Sequence, residues 1–72
     1  MALETFSVKS SNIASLAYDE DTRTGTVEFR SGGVYTIESV DRAVIEEMAS
    51  SPSPTAYYNR HVKDTYRIRR AS

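Results

Sequence analysis

Apolar and polar positions alternate through Thr26–Ser31: Val27 and Phe29 fall on one face, Glu28 and Arg30 on the other. That two-residue period predicts a half-buried strand. It returns after Gly32-Gly33, where Tyr35 and Ile37 share the face of Val27 and Phe29. A glycine pair between two such runs predicts a hairpin, because glycine takes positive φ without steric cost. Upstream, Ser10, Ser11 and Asn12 are turn formers that lead into the apolar run Ile13–Tyr18, a further strand. The segment DEDTRTGT reads as the turn after it, with Asp19 and Asp21 bonding locally and Gly25 supplying a permissive backbone. The three strands form an antiparallel meander. Residues 1–9 show no clear period and are expected to be a flexible N-terminal arm.

The period then lengthens. Val40, Val44, Ile45 and Met48 recur at helical spacing, with Arg42, Glu46 and Glu47 turned outward. Ser39 or Asp41 can cap the start of this helix, and SSPSP ends it, since proline removes a backbone donor and restricts the residue before it. A short second helix follows, capped by Ser53 or Thr55. Its faces pair Tyr58 with Val62 and Tyr57 with His61. Arg60 and Asp64 are spaced for an ion pair. Beyond Thr65, Tyr66 and Ile68 alternate with Arg67 and Arg69, which suits a short closing edge strand. The expected architecture is α+β, in the order β-β-β-α-α: a three-stranded antiparallel meander packed against one or two C-terminal helices.

A chain of 72 residues makes one domain, placed over residues 10–70. It has no cysteine and no tryptophan, so disulfides are excluded and the five tyrosines and two phenylalanines must supply the large core volume. So thin a core makes homo-oligomerisation a realistic source of stability. No apolar run is long enough to cross a membrane, and the N-terminus lacks a basic-then-apolar signal pattern, so the expected location is cytoplasmic.

Net charge is −1, but its distribution is uneven. Residues 60–70 hold Arg60, Lys63, Arg67, Arg69 and Arg70 against Asp64 alone, while the remaining chain is strongly acidic. The stretch AYYNRHVKDTYRIRR adds three tyrosines and the single histidine, His61, to these cations. Arginine forks match phosphate oxygens, and exposed rings stack on bases. Tyr58, Val62, Tyr66 and Ile68 are assigned to the core. Tyr57 and His61 are then the rings left to position a ligand.

Catalysis finds little support. One histidine and no cysteine leave no multi-histidine or thiolate metal site, and DEDTRTG lacks the spacing of a calcium loop. No glycine-rich phosphate loop is present. The expectation is a non-enzymatic module without metal or cofactor.

The blocks SSNIASLAYDEDTRTGTVEFRSGGVYTI and SPTAYYNRHVKDTYRIRR, with a helix between them, resemble the KTSC domain. This family occurs at the C-terminus of some lysyl-tRNA synthetases and as short stand-alone bacterial and phage proteins. The resemblance covers roughly residues 8–70 and singles out Ser10, Ser11, Asn12, Tyr18, Phe29 and Gly33. It also singles out Tyr35, Tyr57, Asn59 and Tyr66. Two departures stand out: the family's tyrosine-x-tyrosine is Tyr35-Thr36-Ile37 here, and Thr55 stands where a glycine is usual. Association with a synthetase suggests RNA, an argument by company. Ser11, Asn12 and Asn59 are polar choices that need either a structural bond, such as an Asx-turn at Asn12, or a ligand.

The expected function is therefore binding of RNA, a nucleotide or another phosphate-bearing ligand. The candidate residues are Tyr57, Asn59, Arg60, His61, Lys63, Arg67, Arg69 and Arg70, with Ser11 and Asn12. A small oligomeric interaction protein, gripping a protein partner or sequestering a nucleotide, is the alternative.

Overall fold

In a computed structural model of the chain, residues 3–71 are described. Five strands form one antiparallel sheet in sequence order: β1 (Leu3–Phe6), β2 (Ile13–Asp19), β3 (Thr24–Phe29), β4 (Val34–Glu38) and β5 (Arg67–Arg70). Between β4 and β5 come helix α1 (Arg42–Ser50) and helix α2 (Pro54–Tyr57). A π-helical turn, Tyr58–Val62, continues α2. The α+β class and the central meander hold. The sheet has five strands rather than three, because β5 forms and because the expected N-terminal arm contains β1.

The face each residue occupies follows from the register. Phe6, Leu16, Val27, Tyr35 and Arg70 are successive cross-strand partners, and so are Glu4, Tyr18, Gly25, Ile37 and Ile68. Cross-strand partners share a face, and these two rows form the one beneath the helices. Leu16, Val27 and Ile37 are fully buried there with Ile45 and Met48 of α1 and Val62 of the π-helical turn. A bulge at Ala14 opposes the Ile13–Ser15 step to the single step Phe29–Glu28. The extra residue lets Ile13 and Leu16, three apart, both point inward.

β1 is held by more than its ladder. Arg42 on α1 donates from Nε and Nη2 to the two carboxylate oxygens of Glu4 at 2.8 and 2.7 Å, and its Nη1 reaches Glu46 at 3.1 Å. Its guanidinium also lies 5.3 Å from the centre of the Phe6 ring.

Local chemistry differs from expectation at the β2–β3 turn. Asp19 does accept from the Asp21 backbone N–H at 2.9 Å, but Arg23, not Gly25, takes the positive φ of 56°. Gly25 lies inside β3, where a Cβ would come within 2.5 Å of Ile45 Cδ1. Its value is close approach of helix to strand. At α1, Asp41 occupies the capping position without a capping bond, and its carboxylate pairs with Arg23 instead. Ser53 likewise precedes α2 without a capping bond. Among the described residues, no helix is long and apolar enough to cross a membrane.

Candidate functional site

The β3–β4 hairpin turns at Ser31–Gly33, closed by the Gly32 N–H to Phe29 carbonyl bond at 2.9 Å and the Phe29 N–H to Gly33 carbonyl bond at 2.8 Å. Gly32 has φ of 108°, a conformation that disfavours side chains. Gly33 lies close under Tyr35: a Cβ there would lie 3.1 Å from the Tyr35 ring, which would have to give by a few tenths of an ångström. The hairpin thus sits flush against an aromatic group. Phe29 packs edge-on against both Tyr35 and Tyr58, with each pair of ring centres 5.6 Å apart.

Over these rings opens a groove of about 730 Å³, flanked by Lys63 at the end of the π-helical turn and Arg70 at the end of β5. Arg70 reaches the groove because it is the cross-strand partner of Tyr35, and its guanidinium lies 5.9 Å from that ring's centre. Lys63 reaches it because its N–H bonds to the Tyr58 carbonyl at 2.9 Å, a five-residue step that returns its side chain to the face of Tyr58. Burial, and after it the neighbouring Tyr35, raise the Tyr58 phenol above its ordinary value of 10.0, so it stays a neutral hydrogen-bond donor.

A second compartment of about 500 Å³ adjoins the first across Phe29 and Ser31, which line both. Ser11, Asn12, Arg30 and Thr55 complete its walls. The loop carrying Ser11 and Asn12 is firmly held. Ser10 Oγ accepts from the Asn12 and Ile13 N–H groups at 3.1 and 3.0 Å, and the Asn12 carbonyl accepts from the Arg30 N–H at 2.8 Å. Arg30 Nε donates to the Ser10 carbonyl at 3.1 Å. Of the three expected turn formers, Ser10 supplies the side-chain bonds of this turn. No aspartate or glutamate lines either compartment. In a chain of net charge −1, the charged groups of these two linings are Lys63, Arg70 and Arg30.

The basic-aromatic C-terminal run is divided among several surfaces. Lys63 and Arg70 flank the groove, and Ser11 and Asn12 line its annex. Arg67 and Arg69 alternate with Arg70 and occupy the opposite face of the sheet. There Arg69 Nε lies 3.3 Å from Glu38 Oε2, an ionic contact that lacks hydrogen-bond geometry. Asn59, Arg60 and His61 are exposed on the π-helical turn, and no Arg60–Asp64 ion pair forms among the described residues. Among the described residues the Asn59 side chain makes no hydrogen bond to a loop, so the structural bond allowed for it is not formed there. Tyr57 packs against the core and donates to Glu47 Oε1 at 2.9 Å, with the His61 ring 4.7 Å away. Burial first, then that bond, raises its phenol above the ordinary value of 10.0. Tyr58 and Val62 are buried, and Tyr66 and Ile68 pack against the core, all as expected.

The site expectation did not include Phe29, Arg30, Ser31, Tyr35, Thr55 or Tyr58. The available signal was a glycine pair flanked by aromatic residues, and the family pattern had singled out Phe29, Gly33 and Tyr35. Among the described residues, no group of three or more His, Asp or Glu is placed to hold a metal ion.

Comparisons with known proteins agree with this architecture. The KTSC domain family matches residues 9–66. A lysine–tRNA ligase of Nostoc punctiforme is 31% identical over 64 residues, which is 89% of this chain and 11% of that protein. One from Trichormus variabilis is 33% identical over the same share of each. The chain thus spans about one-ninth of the length of the curated relatives it matches. A KTSC domain protein from Yersinia pestis has a crystal structure that superposes with a TM-score of 0.86 at 27% identity, over 99% of this chain and all of that one.

Proposed function

The chain belongs to the KTSC domain family, and we propose that it is a non-enzymatic module whose hairpin groove binds single-stranded RNA. The observation that carries this reading is an aromatic floor flanked by Lys63 and Arg70, with Arg30 in the adjoining compartment and no acidic residue among the lining groups. Phosphate oxygens are the complement of such cations. Tyr35 is the stacking platform. It is half-buried, whereas Tyr58 is only 7% exposed and offers little more than its hydroxyl. Grooves that pair a cationic wall with aromatic faces suit single strands, since every base presents a π-face. Lysine–tRNA ligases, which the chain resembles over part of their length, are named for a tRNA substrate.

Three arginines elsewhere are engaged by carboxylates. Arg23 pairs with Asp41, Arg42 with Glu4 and Glu46, and Arg69 with Glu38. Lys63 has no carboxylate partner among the described residues, and Arg30 bonds only a backbone carbonyl. Three phosphate contacts on a single strand set a logarithmic salt dependence of about −2, at roughly −0.7 per contact. Fluorescence anisotropy with a labelled oligoribonucleotide across a salt series tests this. A flat response, or no binding at low salt, overturns the reading.

A further inference from the structure

Resting on the RNA-binding reading, we propose that the annex lined by Ser11, Asn12 and Thr55 is a base-reading subsite, with Asn12 as the residue that sets base preference. Phosphate contacts fix a strand's position but carry no sequence information; base edges carry it. The two compartments differ in their polar groups. Lys63 and Arg70 flank the larger one, while the smaller has Arg30 as its one cation among the described residues and adds the Asn12 carboxamide and the hydroxyls of Ser11 and Thr55. Because Phe29 and Ser31 border both, a nucleotide whose phosphate lies in the first has its neighbour's base within reach of the second.

Asn12 is fit for this role because its loop is fixed without its help. Ser10 Oγ and Arg30 satisfy the loop backbone with four hydrogen bonds, and none of them uses the Asn12 carboxamide or the Ser11 hydroxyl. Both side chains are exposed at the groove wall. A carboxamide presents a donor and an acceptor side by side, the arrangement that pairs with a complementary base edge. The positioned loop also limits the ordering cost of binding.

The test is anisotropy of the full chain with four labelled homo-oligoribonucleotides, for wild type, N12A and the double variant K63A/R70A. The proposal expects wild type to prefer one base by at least about fivefold, and N12A to lose that preference while binding the others as before. Wild type without preference, or N12A with the same preference, overturns the base-reading role and leaves the RNA reading standing. The loss of all four affinities in K63A/R70A supports the phosphate groove that both readings share. Wild-type failure to bind any of the four overturns both. Unchanged thermal unfolding of N12A shows that the loop does not need the carboxamide, and a folding defect is met by N12S, which keeps a small polar group but lacks the paired donor and acceptor.

Discussion

Tyr58 and Lys63, five residues apart, line the same groove because the turn between them is π-helical. On an α-helix the same spacing would separate the two side chains by about 140°. The wider turn closes through the Lys63 N–H to Tyr58 carbonyl bond at 2.9 Å. Turns of this kind recur at functional sites because they re-aim one side chain without ending the helix.

From that placement, Lys63→Ala is expected to weaken oligoribonucleotide binding roughly five- to tenfold, equivalent to about 1–1.4 kcal/mol. It should also reduce the salt slope by about 0.7. Lys63 is exposed and outside the core, so thermal unfolding should stay where it is. Arg60→Ala, one turn away and also exposed, serves as the contrast and should change affinity far less. Equal losses in the two variants would show that general basicity, not the groove, holds the ligand.

Tyr35 separates stacking from hydrogen bonding. Tyr35→Ala removes the platform and should cost about 1–3 kcal/mol of binding, whereas Tyr35→Phe keeps the ring and should bind nearly as well. Anisotropy on both variants is the measurement. If Tyr35→Phe lost as much as Tyr35→Ala, the hydroxyl would be the contact and stacking would be abandoned.

The central strands and the first helix were legible in the sequence because their periods are local properties of Val27, Phe29, Tyr35, Ile37, Ile45 and Met48. β1 was not. Its four residues show little pattern, and its ladder to β2 is reinforced by Arg42, which lies 38 residues along the chain from Glu4. β5 was readable only as a suggestion, yet the face of Arg70 depends entirely on its register with Tyr35. The candidate site suffered from the same limit. A contiguous basic run looks like one surface, but strand alternation sends Arg67 and Arg69 to the face opposite Arg70, and the π-helical turn carries Lys63 away from Arg60. Residues separated in sequence, such as Asn12, Phe29 and Thr55, meet only after the sheet has formed.

Gly25 sits where α1 comes closest to the sheet. Gly25→Ala places a methyl group within 2.5 Å of Ile45 Cδ1 and 3.1 Å of its Cγ1. The strain expected of an overpacked core is about 1–3 kcal/mol. In a domain of this size, each kcal/mol corresponds to roughly 4–8 °C in Tm. Thermal unfolding by circular dichroism measures it, and Ile45→Val, which removes the clashing methyl group, should recover part of the loss in the double variant. A Gly25→Ala protein as stable as wild type would mean that α1 rides higher than described.

Acid should release β1 before the rest of the sheet. The hydrogen bonds from Arg42, opposed by desolvation and aided by its charge, lower the Glu4 carboxyl below its ordinary value of 4.5. A group whose folded pKa is depressed contributes stability that is present above its unfolded pKa and lost as pH falls through the folded one. The Arg42–Glu4 attachment is therefore intact at neutral pH, weakens once the pH falls past the ordinary carboxyl value, and is lost as it passes the lower pKa that Glu4 has in the folded protein. Amide chemical shifts of Leu3–Phe6, followed by NMR during an acid titration, should move before those of β3 and β4. In Glu4→Gln, which keeps the shape and loses the charge, the β1 shifts should lose that acid transition. A wild-type β1 that holds its shifts until the whole sheet unfolds would show that the ladder to β2, and not the Arg42 contact, anchors the strand.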